Sequence, residues 1–177
     1  MAASGSAYDE AWLKLLHYHK TLNGYQGLVE NQEFYISSDG RNNPQAEFMA
    51  EVKAFAEGKE KCRFPARFNY LKQLGKVQGD LNGCEEYQQF MHDVRPNGIT
   101  ILFTNAYMSN PASLFGHTLV RIDTARKGTQ MLAHGSNFGA DSGTEYGVMF
   151  ALKGLFGGYL GVYSVSPYWE IINTYNN

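Results

Sequence analysis

In the first half of the chain apolar residues recur at helical spacing; in the second half they alternate or run together. Tyr8, Trp12, Leu15 and Leu16 predict a helix over about Ser6–Lys20, with Asp9 and Glu10 in a first turn where negative charge suits the helix dipole. A loop-rich stretch runs from Leu22 to Arg41, with Asn23-Gly24 and Asp39-Gly40 as turn signals and a short strand at Glu33–Ile36. Asn43-Pro44 opens the clearest helix: Asn43 can cap it, Pro44 suits the first helical position, and Gly58 falls just past its end. Phe48, Met49, Val52, Phe55 and Ala56 form its apolar face. Pro65 opens a third helix through Phe68, Leu71 and Leu74 to Gly75. Asn82 or Gly83 precedes a fourth, with Tyr87, Phe90, Met91 and Val94 on one face.

The pattern changes at Gly98. Ile99–Thr104 is β-branched and apolar and reads as a buried strand, and Thr118–Asp123 reads as a second. Ala125–Gly128 is a turn, and Gln130–His134 is the next antiparallel strand. A helix spans Thr144–Leu155 with Tyr146, Met149, Phe150 and Leu152 inward; Gly157-Gly158 turns it into a strand, Tyr159–Ser166, and Pro167 starts a terminal helix. Helices first and sheet later argue for an α+β fold, with N-terminal helices packed on a small antiparallel sheet. Length favours one domain over residues 8–177, after a small-residue leader or cloning remnant at 1–7. The C-terminal residues Ile171–Asn177 stop in mid-pattern, which suggests the N-terminal part of a longer protein.

Composition narrows the function classes. A net charge of −2 gives no global electrostatic case for nucleic acid. The five histidines include no His-x3-His pair and the cysteines no Cys-x2-Cys pair, so no metal site is signalled. Gly154–Gly161 is glycine-rich but lacks the Gly-Lys-Ser/Thr ending of a phosphate loop, and no cofactor is expected. It reads instead as close backbone packing beside an aromatic wall. Arg63, Arg67, Lys72 and Lys76 form either a local basic face or, more simply, a solvated helix surface.

The chemistry concentrates at Asn110–Asp123. An Asn-Pro turn leads to Gly116-His117 and then to an alternating strand, so His117 would stand at a strand start, a rigid place from which to aim an imidazole. A hydrogen-bonded structural histidine is the plainer alternative. Asn110–His117, together with Lys153–Tyr159 and Cys62–Arg67, resembles the Lnb N-terminal periplasmic domain family. This bacterial family is named after a lipoprotein N-acyltransferase, and the resemblance runs from about Trp12 to the C-terminus. The family in turn looks like a circularly permuted papain-type fold in which the His strand precedes the Cys helix. The resemblance implies that His117 is the general base and imidazolium partner of a thiolate. It implies that Asn137, in a segment similar to the family's apolar run ending in Asn-aromatic, orients the imidazole; His134 is the alternative. Ser113, Phe115 and Tyr159 would line the substrate site. The family's Asn-Cys-Ser-Tyr-like nucleophile motif is absent through Asn177, so the nucleophilic Cys is expected beyond residue 177.

On this reading the chain is the His-bearing part of a thiol acyltransferase or hydrolase of the bacterial envelope. It would be periplasmic, with its signal peptide outside this sequence. Its partners would be a lipoprotein, lipid or acyl substrate at the membrane surface and downstream domains of the same protein. Two alternatives stand beside it: a non-catalytic periplasmic module binding lipid or a partner through the aromatic, Gly-rich C-terminal third, and a self-contained Ser113/His117 hydrolase. Cys62 and Cys84 admit one intrachain pairing, which would stabilise the fold by roughly 3 kcal/mol. The periplasmic setting implied by the family allows such a disulfide to persist. The other possibility is two free thiols, with Cys62 beside the cationic Arg63 as an internal nucleophile.

Overall fold

In a computed structural model the chain is described over residues 5–104, 117–125, 130–141, 147–156 and 158–176. It divides into two compact units, Met1–Gln89 and Phe90–Asn177.

Unit 1 begins with helix α1 (Glu10–Leu15), much shorter than its periodicity predicts. His17 takes a left-handed backbone (φ 56°), which ends the helix. Strands β1 (Tyr18–Thr21) and β2 (Gly24–Gly27) then form an antiparallel hairpin joined by Leu22-Asn23, so Gly24 of the predicted turn signal is the first residue of β2. The strand expected at Glu33–Ile36 is instead a 3-10 turn, Gln32–Phe34, because the Asn31 side chain accepts the Glu33 N–H and caps it. Helix α2 (Pro44–Ala56) follows the sequence reading: the Asn43 side chain accepts the Ala46 N–H at 3.0 Å, and Gly58 past its end has φ 75°. Helix α3 (Pro65–Gln73) ends in the same way at Gly75, φ 69°. Helix α4 (Glu85–Val94) follows.

The unit 1 core gathers Trp12, Leu16, Phe48, Phe55, Phe68, Leu71, Val77 and Leu81. The Trp12 ring meets Phe48 edge-on at 5.1 Å and stacks on Tyr70 at 5.7 Å, and Phe55 meets Phe68 edge-on at 5.8 Å. Two expectations fail here. Met49, read as core, is 57% exposed, while Glu47 and Glu51 are fully buried on α2. Arg67, read with the surface cations, is buried too, and its guanidinium pairs with Glu51 at 2.8 Å. The pairing explains both errors, since charges enter a core only with partners.

Gly40 fits tightly beside this cluster. Its carbonyl accepts the Tyr18 hydroxyl. A Cβ there would strike the Glu47 carboxylate, with Tyr35 Cβ at 2.8 Å and the Ser37 carbonyl at 3.0 Å. Gly40→Ala should therefore cost unit 1 about 1–3 kcal/mol in a urea titration, because backbone stands among the clashing atoms. An unshifted midpoint would show that the loop yields freely.

Unit 2 is built on a four-stranded antiparallel sheet in the order β3 (Pro96–Thr104), β4 (His117–Thr124), β5 (His134–Asp141), β6 (Leu160–Pro167). Helix α5 (Val148–Phe156) precedes β6, and α6 (Tyr168–Asn176) follows it, as Pro167 predicts. The strand expected at Gln130–His134 begins only at His134; Gln130–Leu132 is a 3-10 turn. Strand β3 was expected to be buried, yet Ile99, Ile101 and Phe103 are 71%, 70% and 68% exposed. It lies at the sheet edge, and these alternate residues share one face. On α5, Met149 and Leu152 are exposed rather than inward, whereas Tyr146 and the Ala125–Gly128 turn beyond Ala125 lie outside the described residues. The chain is thus α+β, with two antiparallel sheets.

Candidate functional site

His117 is the first residue of β4 and pairs in register with Thr104, the last of β3. On the next strand the pairs Val120–Ser136, Arg121–Gly135 and Ile122–His134 fix the register of β4 against β5. Alternation along each strand then sorts the residues by face. His117, Leu119 and Arg121 share the parity of Gly135 and Asn137. His134, paired with Ile122 and with Pro167 of β6, has the opposite parity. The paired stretch of β4 and β5 runs from Val120–Ser136 to Ile122–His134, and Asn137 pairs on its other side with Ser164 of β6.

The antiparallel order brings the start of β4, the end of β5 and the start of β6 to one end of the sheet, where Asp141 pairs with Leu160. Tyr159 precedes Leu160 directly. It is half-buried, with the Lys153 ammonium 5.8 Å from its ring centroid. Ser113 and Phe115 lie outside the described residues. His117, Asn137 and Tyr159 thus belong to neighbouring strands or their ends. His134 is half-buried, and its Nδ1 is buried without a hydrogen-bond partner.

Helix α6 covers the face that carries the Arg121–Gly135 pair. A Cβ on Gly135 would strike Ile171 of α6, and Leu119 is buried nearby. The Tyr168 N–H donates to the Ala133 carbonyl at 2.8 Å, and the Arg121 guanidinium lies 5.2 Å from the Tyr168 ring centroid. Sequence reasoning missed the polar group built there. Thr100 Oγ1 donates to Asp123 Oδ2 at 2.6 Å, and Arg121 Nε donates to Asp123 Oδ1 at 2.7 Å. The Thr100 hydroxyl first, and Arg121 after it, hold the Asp123 carboxyl below the usual carboxylate range. The signal was present as opposite charges two apart in a strand, Arg121-Ile122-Asp123.

Both cysteines are spent in the Cys62–Cys84 disulfide, and Cys84 is buried. This removes Cys62 as an internal nucleophile. The disulfide instead borders a shallow cleft of about 460 Å³ with Arg63, Glu85, Glu86 and Tyr87. Among the described residues, no group of three or more His, Cys, Asp or Glu is placed to hold a metal ion.

The second unit is thus a small antiparallel sheet with a histidine at the start of one strand. The chain belongs to the Lnb N-terminal periplasmic domain family, whose model matches residues 86–177, just over half of the sequence. A second family model, for a domain of unknown function, matches residues 7–74. The resemblance drawn from Trp12 onward is thus narrowed: Cys62–Arg67 falls in the second match, not the first. No curated protein and no solved structure matches the chain. The family's description points to the periplasm, and among the described residues no helix is long and apolar enough to cross a membrane.

Proposed function

We propose that this chain is the histidine-bearing portion of a papain-like thiol acyltransferase or hydrolase of the bacterial envelope, acting on an acyl or amide group of a lipoprotein or lipid. The observation that carries the reading is the register of β4 and β5, which gives His117 and Asn137 the same parity on adjacent strands. On a regular antiparallel pair, diagonal positions stand roughly 7–8 Å apart, within reach of an aromatic ring. An amide at that offset suits a group that fixes the imidazole's orientation. His117 would take the proton of a thiol and return it to the leaving group as the acyl passes to sulfur. An amine or water would then release the acyl from the thioester. With Cys62 and Cys84 joined, the thiol comes from outside residues 1–177. Tyr159 and the segment with Ser113 and Phe115 would flank the substrate.

In the complete protein, His117→Ala should lower acyl transfer by about a hundredfold or more, and Asn137→Ala should lower it less, with little change in KM. Turnover retained by His117→Ala would overturn this function. A second reading, a non-catalytic lipid- or partner-binding module, draws on the exposed row Ile99, Ile101 and Phe103. It expects binding of this chain to phospholipid vesicles that His117→Ala leaves intact and Ile101→Lys weakens.

A further inference from the structure

Unit 1 buries two carboxyl groups around one guanidinium. Glu47 and Glu51 stand one turn apart on α2, both at 0% exposure, and Arg67 of α3 faces them at 3%. With all three ionised, the cluster carries one excess negative charge inside the core, which is costly. The groups facing it from other elements do not supply the missing cation. Tyr18 on β1 and Tyr35 after the 3-10 turn are both pushed above the ordinary phenol range, chiefly by burial. Arg41, which acts on Tyr35, is bonded to Glu30 at 3.2 Å and to the Gly27 carbonyl.

We propose that Glu51 keeps its proton at neutral pH, and that this proton latches the loop from Ile36 to Asn43 onto α2, one turn away at Glu47. Two observations of geometry support it. Glu47 accepts the Ile36 and Ser37 N–H groups at 2.8 Å each, one on each carboxyl oxygen, and so ties the loop to α2. Glu51 accepts Arg67 through Oε1 at 2.8 Å, but its buried Oε2 has no partner. A proton on Oε2 would turn that unpartnered buried acceptor into a neutral hydroxyl and remove the excess charge from the core. The proton therefore resides on Glu51, whose carboxyl burial pushes up to about 8.

The sign follows from linkage. The folded state keeps the proton to about pH 8, while the unfolded chain loses it near the ordinary value of 4.5. The stabilisation is complete below about 4.5, declines as pH rises through that window, and levels off above 8. Above 8 a second carboxylate competes with Glu47 for Arg67, and the hold on Ile36 and Ser37 weakens.

The test is urea unfolding of the full chain and of Glu51→Gln across pH 5–9. Gln keeps the shape and offers an N–H where the acid offers its O–H. The folding constant of the wild type relative to the variant should fall about tenfold per pH unit between pH 5 and 8, then stay level. Parallel profiles would overturn the proposal. If the variant does not fold, ¹³C NMR of the wild type labelled at glutamate carboxyls decides. A carboxyl still protonated at pH 6.5 supports the buried proton, and complete ionisation by that pH refutes it. Exchange of the Ile36 and Ser37 amides should also accelerate above pH 8 beyond its intrinsic rise.

Discussion

Arg67→Met should destabilise unit 1 by about 3–5 kcal/mol, the scale expected when a buried ion-pair cluster loses one partner. The guanidinium lies between the rings of Phe34 and Phe64, 4.1 Å from each centroid, so methionine preserves much of the packing and removes the charge. Glu51 would lose its bonded donor, and Glu47 would keep only the backbone N–H groups of Ile36 and Ser37. Without the cation that lowers it, the Glu51 carboxyl should keep its proton to still higher pH, so the loss should be smaller below about pH 8 than above it. A urea midpoint that matches the wild type would mean that the aromatic sandwich, not the ion pairs, supplies the stability.

Cys62→Ser with Cys84→Ser should cost roughly 3 kcal/mol, the loop-closure value for a bridge of this span. In a unit of this size that corresponds to a fall in melting temperature of roughly 10–20 °C. The bridge spans 22 positions and ends beside α4, where the Cys84 carbonyl accepts the Gln88 N–H and its own N–H donates to Leu81. Thermal melts monitored by circular dichroism, with and without reductant, measure the effect. Identical melts would show that Val77, Leu81 and their neighbours hold the loop unaided.

The sequence was most legible where local chemistry decides. Asn43-Pro44 and Gly58 bound α2 almost to the residue, because a cap, a preset φ and a left-handed stop act within a few residues. The strand at His117 and the helix after Pro167 were equally plain. Errors arose where distant partners decide. Arg67 looked like a surface charge because its pairing with Glu47 and Glu51 joins two helices. Ile99, Ile101 and Phe103 looked buried because an apolar run reads alike on a central and an edge strand. Of the candidate site, the position of His117 at a strand start was readable. The register that gives it the parity of Asn137 and not of His134 was not, since a shift of one residue reverses every face.

Strand β3 has a further consequence for anyone handling the chain. Only β4 pairs with it among the described residues, so its outer side offers backbone donors and acceptors in a row, next to three solvent-facing apolar side chains. Such a border is a growth front onto which another strand can be laid. Concentration, and not temperature alone, would then set the shelf life of a preparation. A lysine on that border would act as a gatekeeper at no cost to a packed core.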